Sequence, residues 1–431
     1  MNSPDATPED CTPPRLSLVA LFLRFARYGL LGFGGPIAQV ALLQKELVEE
    51  QRWVSLARFQ RALAVYQALP GPEAHELCTW FGMLARGRAG ALVAGLGFLL
   101  PGLCLVLALA WLYVHAGLAA RVSPEVLLGL AAAVLALVVR GVERIGRRAL
   151  GRPAWWLAAV LAALGTLAGL SSWWLLGAAA LLGALARFLP DAPASAGGAP
   201  RAALRIPGWL AAPLVLPVLV GAAWLVGQAV LGFATPPATG TTAAAQTLQA
   251  PPGVMALFLL GLQAGLLTFG GAYTAIPFVR DAAVLRDGWL RDGTFLDGLA
   301  LCGVLPGPLL LFTAFTGVVA AGLAGGLAIT AGVFLPAFGF TLLGHGLLER
   351  LVAWRPLHDT LDAVTAAVVG LVAATALRLV HAQLVTPSAW IVSGLALLLL
   401  VRWRSRWATP AAVLLGALLG PLLGALARLL G

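Results

Sequence analysis

A shift of 236 residues lays separate parts of this chain over one another, and that duplication constrains the fold more than any other feature. Gly32-Phe33-Gly34-Gly35 falls on Thr268-Phe269-Gly270-Gly271, Trp53 on Trp289, and Leu69-Pro70-Gly71-Pro72 on Leu305-Pro306-Gly307-Pro308. Pro101 meets Pro336 at a shift of 235, which implies one deleted residue. Four anchors in nearly one register mark an internal repeat. Such repeats are common in transporters and rare in membrane enzymes.

The repeated motifs interrupt long apolar runs. Apolar residues make up 60% of the 431 and charged residues 11%, against about 25% charged in soluble domains. These charges are too few to coat a water-facing surface. A soluble enzyme, a disordered scaffold and a nucleic-acid binder are excluded, and a polytopic all-α membrane protein embedded in the lipid bilayer remains. The net charge of +10 does not point to nucleic acid. Lys45 is the one lysine among 28 basic residues, and most of the arginines sit in short loops, the usual topology signal. Cys11, Cys78, Cys104 and Cys302 are far apart with no CxxC, so no disulfide framework, metal site or cofactor is expected.

Apolar runs lie near 16–34, 57–86, 89–115, 124–142, 154–169, 172–188, 208–233, 253–270, 293–322, 324–348, 358–380, 389–401 and 408–430. At ~20 residues per span they predict about thirteen passes. The stretches 37–56 and 273–292 are amphipathic and read as interfacial helices or loops. Residues 1–15 are a Pro-rich, acidic, disordered tail, 16–207 the first repeat, 208–252 a linking span with an external loop, and 253–431 the second repeat. Arg140, Arg144, Arg147, Arg148 and Arg152 form the densest basic cluster and are assigned to the cytoplasm. Stepping from there puts the N-terminus inside and the C-terminus outside, and inverts the two repeats. This count takes each LPGP segment as one pass. If both segments turned back, the total would be eleven and the inversion would be lost.

The LPGP segments should break their helices near mid-membrane, because Pro removes a backbone donor and clashes with the preceding turn. Non-helical backbone at that depth must be buried in protein or line a cavity. The half-helices beginning after Pro72 and Pro308 would then offer free N–H groups and a positive dipole end to an anion. A packing kink is the plain alternative for one break. Two breaks at matching positions of a repeat favour a substrate site. Gly34-Gly35-Pro36 and Gly270-Gly271 would expose further N–H groups without Cβ obstruction, or form tight turns. Arg24 and Arg27, inside the first apolar run, either face a cavity or snorkel. Glu73 suits a helix start and is also a coupling candidate, as is Asp297 in the second repeat. Glu73, His75 and Glu76 match no metal-ligand spacing.

The stretches GFGGPIAQVALLQKELVEEQRWVS (32–55), ALPGPEAHELCTWFGML (68–84), FGGAYTAIPFV (269–279), GWL (288–290) and DGLAL…PGPLLLF (297–312) make the chain resemble the chromate ion transporter family of long, two-domain type. The resemblance implies a bacterial inner-membrane protein of two inverted repeats that exports chromate and confers chromate resistance, with sulfate as the usual competitor. One departure stands out. The family often carries polar residues of Glu-Thr-Thr type before the second PGP, where this chain has Gly303-Val304-Leu305.

The expectation is an oxyanion transporter whose substrate site is drawn from Arg24, Arg27, Gly34, Gly35, Pro36, Gln39, Pro70, Gly71, Pro72, Gly270, Gly271, Pro306, Gly307 and Pro308. A homodimer is compatible with it. With no ATPase motif, membrane potential or an ion gradient would drive transport. Moving two negative charges out of a negative cytoplasm gains roughly 4.6 kcal/mol per 100 mV. The alternatives are uptake of sulfate or another oxyanion, and an intramembrane enzyme acting on lipid phosphates.

Overall fold

The computed structural model describes residues 13–33, 35–117, 123–185, 250, 252–269, 272–343, 355–384, 386–403, 405 and 407–430. Among them the regular structure is entirely helical. The linking span 208–233, the loop 234–249, most of the N-terminal tail, Gly34, Gly270 and Gly271 lie outside the described residues.

Helix α1 (Leu18–Leu31) starts where Ser17 Oγ accepts the Ala20 N–H at 3.2 Å. It ends at the first FGG motif. Helix α2 (Pro36–Leu43) follows, with Pro at its first position, and continues as a π-helical turn over Gln44–Glu50. The chain turns back at this break. Arg24 on α1 donates to Gln51, and Phe25 meets Trp53 edge-on at 6.5 Å. Helix α3 (Leu56–Ala68) is capped by Ser55 and stops at Leu69-Pro70-Gly71-Pro72. Helix α4 (Glu73–His115) contains a bend at Arg86 and Gly87, where Gly87 takes φ +61°. The arm 73–85 runs back along α3, because Phe81 stacks on Phe59 at 6.2 Å. After the bend the chain reverses again, and Gly82 and Gly90 pack backbone to backbone.

The second repeat follows the same course. Helix α8 (Val254–Leu266) leads to the second FGG. A 3-10 turn (Ala272–Thr274), α9 (Ala275–Arg280) and a π-helical turn (Asp281–Arg286) follow. Helix α10 (Asp292–Val304) reaches the second LPGP, and the next arm packs back on it through Gly298 against Phe315 and Phe295 against Phe312 at 5.7 Å. Helix α11 (Phe312–Leu343) bends at Ala321 and Gly322 with nearly the dihedrals of the first bend, Gly322 at φ +64°. Gly317 and Gly325 repeat the close packing of Gly82 and Gly90.

The LPGP segments are therefore hairpins rather than single straight passes, and the first FGG break is a hairpin as well. The inversion nevertheless survives. The long arms of α4 and α11 run antiparallel: Gly95 packs on Phe338, and Leu107 packs on Gly326 twelve residues back along the partner. Elements related by the repeat thus point in opposite directions. The sequence count lost the inversion on turning the LPGP segments because it kept each FGG-ended run as a pass. Residues 272–280 and 282–284 are buried in protein rather than interfacial, as are Leu43, Leu47 and Trp53 at 0% exposure.

The remaining helices are α5 (Pro124–Ala149), α6 (Pro153–Leu167), α7 (Ser172–Leu185), α12 (Arg355–Gln383), α13 (Pro387–Arg402) and α14 (Ala408–Leu430). The described residues divide into two compact units, one within Met1–Gly141, Leu248–Leu348 and Leu379–Gly431, the other within Val142–Thr247 and Glu349–Arg378. In the second unit Arg152 pairs with Asp359 at 3.1 Å, Gly370 packs on the Ala159 carbonyl, and Arg378 donates to the Thr166 carbonyl at the end of α6. In the first, Gly129 and Gly416 bring α5 and α14 into backbone contact. Small residues at such crossings suit a bilayer, where close packing replaces the hydrophobic drive between helices.

Candidate functional site

The four helix breaks of the first unit meet at one point. A small, narrow cleft is lined by Pro36 and Gln39 from the first FGG hairpin and by Pro72, Ala74 and His75 from the first PGP tip. Ala272 from the second FGG segment and Pro308, Leu309 and Leu310 from the second PGP tip complete it. Each break thus contributes the first residues of the helix that follows it.

The tips hold one another across the repeat. Gly71 N–H donates to the Thr268 carbonyl at 2.7 Å, and Gly307 N–H, 236 residues on, reaches the Gly32 carbonyl at 3.5 Å. The longer bond is bridged by Gln39, whose amide nitrogen donates to both Gly32 and Gly307 carbonyls at 2.9 Å. Gly71 and Gly307 adopt φ +150° and +122°, where a side chain brings strain. A Cβ on Gly71 would lie 2.5 Å from the Glu76 carboxylate, and one on Gly307 would lie 3.2 Å from Gly102.

Helix geometry supplies the donors. The first intrahelical bond after Pro72 is His75 N–H to the Pro72 carbonyl at 2.8 Å, so the Ala74 N–H has no acceptor in its own helix. Leu309 and Leu310 stand likewise before the bond of Leu311 to Pro308 at 2.9 Å, and Ile37 and Ala38 before that of Gln39 to Gly35 at 3.2 Å. A helix N-terminus carries about half a positive charge. The starts of α2 and α4, and the 3-10 turn that leads into α11, therefore favour an anion.

Side chains around the first tip are polar and buried. His75 and Glu76 are fully buried. Neither nitrogen of His75 nor either carboxylate oxygen of Glu76 completes a hydrogen bond. The Glu73 carboxylate accepts from Gln67 at 3.4 Å. Behind them Thr79 and Thr341 share a hydrogen bond at 2.7 Å, and Tyr66 lies 3.3 Å from Thr341.

Of the residues singled out from sequence, Pro36, Gln39, Pro72 and Pro308 line the cleft. Gly71 and Gly307 join the tips behind that lining, where Gly35, Pro70 and Pro306 belong to the same breaks. Gly34, Gly270 and Gly271 lie outside the described residues. Arg24 and Arg27 are not brought to the cleft. Arg24 is held at the hairpin base by Gln51 and by the face of Trp53, 5.6 Å away, and Arg27 is exposed. Asp297 is also elsewhere, accepting the Tyr113 hydroxyl at 2.6 Å. Sequence reading missed the clasping role of Gln39, whose counterpart is Ala275, and the place of His75 in the lining. Burial of the arm after a PGP is the signal that would have singled out His75.

A family model described as chromate transporter matches residues 19–184 and 255–421, one match per repeat. A chromate transport protein of Pseudomonas aeruginosa is 46% identical over 87% of this chain and 84% of its own length. One of Cupriavidus metallidurans is 28% identical over 94% of both, and a probable chromate transport protein of Synechococcus elongatus is 29% identical over 84% of both. No solved structure matches the chain.

Proposed function

The chain belongs to the chromate transporter family, and we propose that it exports chromate across the bacterial inner membrane as a secondary transporter, giving chromate resistance. The observation that carries the reading is the convergence of four helix starts, two from each inverted half, on one cleft. Backbone N–H groups there receive a tetrahedral dianion without a fixed cation. Arg24 and Arg27 act at most at the inner mouth.

In this reading the four broken segments enter and leave on one side, so four of the thirteen apolar runs of the sequence turn back and nine remain as crossings. An odd count keeps the N-terminus in the cytoplasm and the C-terminus in the periplasm. A dianion leaving a negative cytoplasm moves down the potential by roughly 4.6 kcal/mol per 100 mV, so the potential suffices as a driving force. Glu73 and Asp297 are the candidates for any ion coupling.

Chromate uptake into inside-out vesicles carrying this protein tests the reading, with potentials of either sign imposed and sulfate added as competitor. Uptake driven by a positive lumen and inhibited by sulfate is expected. Uptake that ignores the sign of the potential would remove the electrogenic mechanism. Folded, inserted protein without chromate flux would move the substrate to another oxyanion.

A further inference from the structure

We propose that His75 is a specificity-determining contact for the oxyanion, its imidazole N–H supplementing the backbone donors of the four helix starts. The proposal rests on the site reading above and adds one side chain to it. His75 is fully buried and lines the cleft. Its ring leans toward the Gly95 carbonyl, yet neither nitrogen completes a hydrogen bond. A buried polar group left unsatisfied costs free energy, and native proteins keep few of them. A ligand oxygen in the cleft would satisfy this one.

The surroundings fix the ring, and the Gly95 carbonyl toward which it leans completes no hydrogen bond with it. Phe338 lies 4.7 Å and Phe334 5.0 Å from the imidazole, both edge-on, and Phe98 lies 6.5 Å away. Packing alone does not demand a histidine here. The matching position of the second tip is Leu311, which is equally buried. Gln39, the other polar side chain of the lining, spends its amide N–H groups on the Gly32 and Gly307 carbonyls. Among the described lining residues, His75 alone has side-chain nitrogens that complete no hydrogen bond within the protein. Neutral imidazole donates through one nitrogen, and a donor held at a fixed angle favours an oxygen in a defined direction. That geometry suits a tetrahedral oxyanion.

The test is the concentration dependence of chromate uptake into inside-out vesicles by wild type, His75→Leu and His75→Gln. Leu copies the second tip, while Gln retains an N–H donor. His75→Leu is expected to raise the half-saturation concentration about tenfold or more, equivalent to about 1.4 kcal/mol, and to weaken sulfate inhibition in parallel. His75→Gln is expected to stay within about threefold of wild type. A His75→Leu protein that saturates like wild type overturns the proposal. If His75→Leu does not insert, His75→Met serves as the apolar member of the pair, with the same two outcomes. A wild type without chromate flux overturns the transport reading itself. Normal wild-type flux with an unchanged apolar variant overturns only the role of His75.

Discussion

The two Pro-Gly-Pro tips share a backbone and differ in nearly everything attached to it. Both place glycine at a strongly positive φ, both pass an N–H to a carbonyl of the opposite FGG segment, and both start a helix at the cleft. The first continues as Glu73-Ala74-His75-Glu76 and the second as Leu309-Leu310-Leu311-Phe312. Its cross-repeat bond is 2.7 Å where the second is 3.5 Å and needs Gln39 as a bridge. The comparison separates two functions that a repeat could have kept together. Anion recognition by backbone is symmetric, whereas side-chain chemistry is confined to one half. The apolar Gly303-Val304-Leu305 before the second tip continues that division.

The largest expected effect comes from breaking what the tips share. Gly71→Val and Gly307→Val each force a β-branched residue into the left-handed region, a strain of about 1–3 kcal/mol before any clash. Both should abolish chromate uptake in vesicles. Gly71→Ala should lower the melting temperature more than Gly307→Ala, because its Cβ meets the Glu76 carboxylate. Equal losses would mean that backbone strain alone decides.

Next come the changes that probe the asymmetry. Gln39→Ala removes the bridge at the looser junction and leaves two carbonyls short of a donor. It should cost ~1–3 kcal/mol in stability and slow uptake, as read from melting temperature and initial rate. A bridging role predicts that Gln39→Glu, which cannot donate, is no better than Ala. Tyr113→Phe strips Asp297 of its hydroxyl donor and should cost about 1–2 kcal/mol, with a matching fall in melting temperature. The smallest effect is expected from Arg24→Gln. Its partners are Gln51 and Trp53 at the hairpin base, so the half-saturation concentration for chromate should move less than about threefold. A tenfold rise would bring the inner mouth into the site.

Much of this architecture was legible in the sequence. The repeat register, the four breaks and the helical class follow from Pro, Gly and apolar-run spacing, which act locally on the backbone. Direction did not follow. An apolar run carries no record of whether the chain crosses or returns, and only the meeting of Phe59 with Phe81 and of Gly298 with Phe315 reveals the turn. Arg24 stood out because a charge in an apolar run is conspicuous, although its partners lie at the hairpin base. In the sequence His75 reads only as part of a rejected metal-ligand set, because it has no polar counterpart in the second repeat.

The crossed bonds between tips also bear on how the protein is made. An arm of about 13 residues is ~20 Å long, short of the ~30 Å of a hydrocarbon core. Such arms are poor stop signals for insertion, and their broken ends expose backbone that lipid cannot satisfy. Gly71 finds its acceptor only in Thr268, on a segment synthesised almost 200 residues later. The bond that ties the first tip can therefore form only once the second half has been made.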